Sequence, residues 1–106
     1  DALFVDVEPV MINVVQEGAI VLTIQMELKI ETAGNDNIIR IKRMLPIYKD
    51  AFMRDMHSFI PRMLSELGRL DLPTVKRRLQ ITADRVAGEP GIVKSVLIQS
   101  IVDTPQ

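Results

Sequence analysis

The chain is 106 residues long, the size of one domain, and such a domain buries roughly two thirds of the surface its unfolded chain exposes. Hydrophobic residues make up 47% and charged residues 25%, which excludes the hydrophobe-poor, charge-rich composition of a disordered chain. A net charge of -1 leaves no global positive field to hold a polyanion, and the absence of cysteine excludes disulfides, a thiol nucleophile and Cys-ligated zinc.

Leu3, Val5 and Val7 alternate with Phe4, Asp6 and Glu8, but beyond Glu8-Pro9 the apolar parity moves to Val10, Ile12 and Val14. A parity change at a proline marks a bulge or a break, so either one bulged strand or two short ones is predicted. Gln16-Glu17-Gly18 then turns the chain as a glycine-containing hairpin connection. In the next stretch Ile20, Leu22, Ile24, Met26, Leu28 and Ile30 share one parity, and Thr23, Gln25, Glu27, Lys29 and Glu31 the other. That pattern predicts a strand with one buried and one wet face. Six apolar side chains at about 1.5 to 3 kcal/mol each give gross burial on the order of 10 kcal/mol, all of it lost if the register slips by one residue.

Gly34 and Asn35 end the strand, and Asn35 or Asp36 is placed to cap a helix. Ile38, Ile41, Leu45, Tyr48, Phe52, Met56 and Phe59 then step by three or four, which predicts a long first helix over 36–60. Pro46 lies inside it, where a proline removes a backbone donor and costs about 3 kcal/mol. The helix must kink there or restart with Pro46 in its first turn. Pro61 closes the run or opens a further turn to Leu67, and Gly68 is a stop. A second helix carries Asp71 as cap, Pro73 in the first turn, Leu72, Val75, Leu79, Ala83 and Val86 on one face, and Gly88 and Pro90 as terminators. The final strand alternates poorly through Val96, Leu97 and Ile98, which predicts a central strand covered on both faces. Strand, strand, helix, helix, strand reads as α+β: a mainly antiparallel sheet with two helices packed on one face, the first long and proline-containing.

Chemistry-bearing patterns are sparse. His57 is the single histidine, and no second one gives it the spacing of a metal site, so a helix-surface position accounts for it. No GxSxG, GxGxxG or phosphate-binding glycine loop occurs, so neither an enzyme nor a cofactor site is expected. Asp50 and Arg54 are spaced for an i, i+4 ion pair. The clusters Arg40-Lys42-Arg43 and Lys76-Arg77-Arg78 read as solvated helix faces, with contact to anionic lipid head groups as the functional alternative, and too few aromatics accompany them for nucleic-acid binding. Met44, Met53, Met56 and Met63 cluster on or after the first helix, where flexible thioethers fill cores, and Met53 lies off the main face as a candidate partner contact.

No run reaches the roughly 18 to 20 apolar residues that cross a bilayer, and no signal peptide opens the chain. The first residue is Asp1 rather than Met, so the chain is expected to be an excised or processed piece.

The segment FVDVEPVMINVV, with Phe4, Glu8, Pro9 and Asn13, resembles the entry to the periplasmic domain of the flagellar basal-body FliL family. IVLTIQMELKIE is similar to that family's long strand. RMLPIYKDAF resembles its helix segment through Leu45, Pro46, Ile47, Asp50 and Ala51, and GIVKSVLIQSIV is similar to its last strand. The family's Ser- and Lys-rich turn after the first helix is replaced here by FIPRMLSELGRL. The resemblance implies a single periplasmic domain over 1–106, a stomatin-like fold, an inner-membrane anchor preceding Asp1, and assembly into rings. It also implies a non-enzymatic adaptor at the basal body that associates with the MotA and MotB stator and supports torque, motility or swarming. Phe4, Asp6, Glu8, Arg40, Arg43 and Met53 are the residues expected to meet a partner or a second copy. A scaffold at a membrane surface, or a ligand-sensing module with a pocket between sheet and helices, is the alternative.

Overall fold

In a computed structural model that describes residues 2–106, three strands and three helices follow in the order β1 (Ala2–Gln16), β2 (Ala19–Ala33), α1 (Asn35–Arg43), α2 (Leu45–Leu67), α3 (Leu72–Ala87) and β3 (Ser95–Pro105). The fold is α+β: an antiparallel sheet in the order β1-β2-β3 with three helices against it.

β1 is one bulged strand rather than two. Val7 pairs with Leu28 and Val10 with Met26, so Glu8 and Pro9 together oppose Glu27, and the extra residue returns Val10, Ile12 and Val14 to the buried face of Val5 and Val7. Gln16 pairs with Ala19 across a two-residue turn in which Glu17 (φ 50°) and Gly18 (φ 78°) are both left-handed. That turn matches the twist of the flanking strands, and the glycine adopts it without a Cβ penalty. A second bulge, at Val21, pairs Ile20 with Val15 on the outer face, so Ile20 leaves the predicted apolar stripe and is 45% exposed.

The predicted long helix divides at Met44. Neither Asn35 nor Asp36 caps its start: Gly34 holds the cap position, and Asn37 Nδ2 donates instead to the Ala33 carbonyl at 2.9 Å. Pro46 falls in the first turn of the restarted helix, where a missing N–H has no helical partner to lose. The junction is tight, with the Met44 carbonyl accepting from the amides of Ile47 (2.9 Å) and Tyr48 (3.1 Å). The apolar stripe therefore runs across the break through Ile41, Tyr48, Phe52, Met56, Ile60 and Met63, all buried. Pro61 neither ends α2 nor starts a new turn, because the helix continues through it to Leu67. Burial of Ile60 and Met63, about 1.5 to 3 kcal/mol each, offsets the cost of an interior proline of about 3 kcal/mol. Gly68, at φ 72°, stops the helix with its amide on the Leu64 carbonyl at 2.8 Å.

α3 begins after Asp71, whose carboxylate accepts a hydrogen bond from the Thr74 hydroxyl, and ends at Gly88. It buries Val75, Leu79, Thr82, Ala83 and Ala87, while Leu72, expected on the core face, is half exposed. Asp55 of α2 joins the two helices. It accepts from Arg78 Nε (2.8 Å), Arg78 Nη2 (2.7 Å) and the buried Thr82 hydroxyl (2.9 Å), and the Arg78 guanidinium lies 5.3 Å from the centre of the Phe59 ring.

β3 is an edge strand, not the central strand expected from its poor alternation. Ile98 pairs with Leu28 but Ser100 with Glu27, so Gln99 is an extra residue that changes the parity of the strand. Val96 and Ile98 face the helices, Leu97 faces outward opposite Lys29, and beyond the bulge Ile101 returns to the helix side opposite Met26. β2 is the central strand, and its alternation is clean because helices cover only one side of the sheet.

Candidate partner groove between the first strand and the second helix

β1 is an edge strand, and α2 packs along it. Between them lies an open groove of about 260 Å³. Asp6 and Glu8 line it from the strand, and Leu45, Pro46, Lys49, Asp50 and Met53 from the first turns of the helix. The bulge at Glu8-Pro9 and the helix restart at Leu45, the two places where a proline interrupts a regular element, both open onto it.

The groove is apolar at Leu45, Pro46 and Met53 and acidic around them. Glu8 accepts from Lys49 Nζ at 2.9 Å, and that hydrogen bond holds its carboxyl below the usual carboxylate range. Asp6 lies 3.5 Å from Lys29 and Asp50 lies 3.0 Å from Arg54, the i, i+4 pair expected from spacing. The three carboxylates are exposed, and exposed pairs of this kind contribute about 0 to 1 kcal/mol. An incoming lysine or arginine can therefore exchange with the internal partners at little cost, while an apolar neighbour covers Met53 and Leu45.

Three of the six residues expected to make contacts, Asp6, Glu8 and Met53, come together here. Phe4 stands near them on the outer face, 48% exposed, with Lys29 Nζ 5.9 Å from its ring centre. Arg40 and Arg43 do not line the groove. Arg40 Nη2 donates to the Ala87 carbonyl at 3.0 Å, closing the C-terminal end of α3, and Arg43 is exposed at the end of α1. Nothing local in the sequence marks Lys49, because its partner Glu8 is 41 positions away.

No protein-family model matches this chain, nor does any curated protein. Elsewhere, His57 is exposed with Nδ1 2.9 Å from the Met53 carbonyl of the preceding turn. Among the described residues no three His, Asp or Glu side chains gather into a metal-binding cluster, and no helix is long and apolar enough to cross a membrane. The groove presents a small apolar floor, a flexible thioether and exposed ion pairs.

Proposed function

We propose that the domain is a non-enzymatic adaptor of the flagellar basal body that binds the MotA and MotB stator, self-associates into a ring, and sits on the periplasmic side of the inner membrane behind an N-terminal anchor. One observation supports this reading above the others. Two of the four segments that carry the FliL resemblance, FVDVEPVMINVV and RMLPIYKDAF, are far apart in the chain yet both line one groove. Pro46, which restarts the helix, stands on its wall. In this reading the groove receives a basic, apolar segment of the stator, and Asp6, Glu8 and Asp50 exchange their internal cations for those of the partner.

The test is co-purification of the membrane-anchored protein with MotA and MotB, alongside an Asp6→Lys, Glu8→Lys variant and a separate Met53→Asp variant. The wild type is expected to retain the stator, and both variants to lose most of it together with swarming. Loss in neither variant removes the groove from the proposal, and failure of the wild type to retain the stator removes the flagellar role itself.

A further inference from the structure

A second, larger groove of about 830 Å³ lies on the opposite edge of the sheet, between β3 and the start of α3. Its walls are Leu70, Leu72 and Pro73 on the helix side and Ile98 and Ile101 on the strand side. Leu72 is half exposed although the periodicity of α3 places it on the core face, and Ile98 and Ile101 are only partly buried although they face the helices. These are core-type side chains that the domain itself leaves uncovered. The Gln99 bulge lies in the strand wall of this groove, where the parity of β3 changes between Ile98 and Ile101.

One charged residue, Lys76, lines this groove. Lys76 is exposed and has no carboxylate within ion-pair distance among the described residues, and Arg77 follows it with its guanidinium on the Thr74 hydroxyl at 3.1 Å. The β1 groove carries three carboxylates, each already matched by a cation, whereas this one carries an unmatched cation beside an apolar trough. The bulge also breaks the row of outward backbone groups along β3, which disfavours an added strand and favours a helix held by its side chains.

We propose that the groove between β3 and α3 binds an amphipathic, acidic helical segment of a partner protein, with apolar side chains against Leu72, Ile98 and Ile101 and a carboxylate on Lys76. The site is independent of the flagellar reading, since none of its residues lines the β1 groove.

The test uses two fluorescein-labelled helical peptides with the same leucine stripe, one flanked by glutamates and one by lysines, titrated into the ¹⁵N-labelled 106-residue chain. The glutamate peptide is expected to shift amides within 70–76 and 97–101 and to bind at least tenfold more tightly than the lysine peptide. Lys76→Glu is expected to abolish or reverse that preference, and Leu72→Glu to weaken both peptides. Both positions are exposed, and retained amide dispersion reports that each variant folds. Equal affinity for the two peptides overturns the proposal, as do shifts confined to other surfaces. So does concentration-dependent shifting of the groove amides without peptide, which assigns the groove to a second copy of the chain.

Discussion

Asp55 and Tyr48 show how differently two polar groups can be placed within one helix. The Asp55 side chain is 10% exposed and accepts hydrogen bonds from Nε and Nη2 of Arg78 and from the buried Thr82 hydroxyl. Asp55→Ala strands that hydroxyl and leaves Arg78 without its partner, so a loss of about 2 to 3 kcal/mol in chemical denaturation is expected. The Arg78 hydrogen bond, foremost, holds the Asp55 carboxyl below its ordinary value of 3.8. Since the folded group is the more acidic, its contribution is complete above the unfolded value and is lost as pH falls through the folded one. Stability measured from pH 7 downward should therefore stay level on this account to about pH 4 and then fall, and Asp55→Asn should flatten the fall. Tyr48 is the opposite case: its ring is fully buried 6.3 Å from that of Phe52, yet its hydroxyl has no partner among the described residues. Burial pushes the phenol pKa up, in keeping with a group that has lost its water. Tyr48→Phe keeps the ring packing and removes the stranded hydroxyl, so a gain of about 1 kcal/mol is expected, and a loss of that size would contradict this account.

At the scale of elements, the two prolines of α2 differ in cost because they differ in position. Pro46 occupies the first turn, so Pro46→Ala should change stability by less than about 0.5 kcal/mol. Pro61 lies in the interior and denies the His57 carbonyl its helical partner, so Pro61→Ala should stabilise by about 1 to 3 kcal/mol, readable as a higher midpoint in urea. Equal effects at the two sites would contradict the division of the helix at Met44. The same contrast explains what was legible in advance. Local patterns located the Glu8-Pro9 bulge, the hairpin turn, the β2 alternation and the Gly68 and Gly88 stops, because each depends on neighbours in sequence. The continuation through Pro61 depends on burial against other elements, and the edge position of β3 on a bulge at Gln99, a residue with no glycine or proline to announce it. In the β1 groove, Asp6, Glu8 and Met53 were foreseeable as exposed or off-face residues, whereas the Glu8–Lys49 bridge required the packing of α2 on β1.

On the scale of the whole molecule, a three-stranded sheet has two edges for one interior strand, and strands of up to 15 residues make those edges long. Helices cover one face only, and the outer face carries Phe4, Met11, Val15 and Val102 in the open, a combination that invites pairing with other chains. Both edges are interrupted. β1 carries the Glu8-Pro9 bulge beside Asp6, and β3 carries the Gln99 bulge, Asp103 and Pro105. Bulges, charges and prolines on edge strands are the devices that block strand addition. Replacing Glu8 and Pro9 with valine removes a charge and restores a donor on β1, and the Val7 to Val10 stretch then becomes apolar throughout. Light scattering at matched concentration should report larger species for this double variant than for the wild type, with the difference growing on standing. A Glu8→Lys, Pro9→Val variant keeps a charge on the edge and should associate less. If both variants scatter like the wild type, Glu8 and Pro9 have no guarding role, and the β1 edge is protected by the packing of α2 against it.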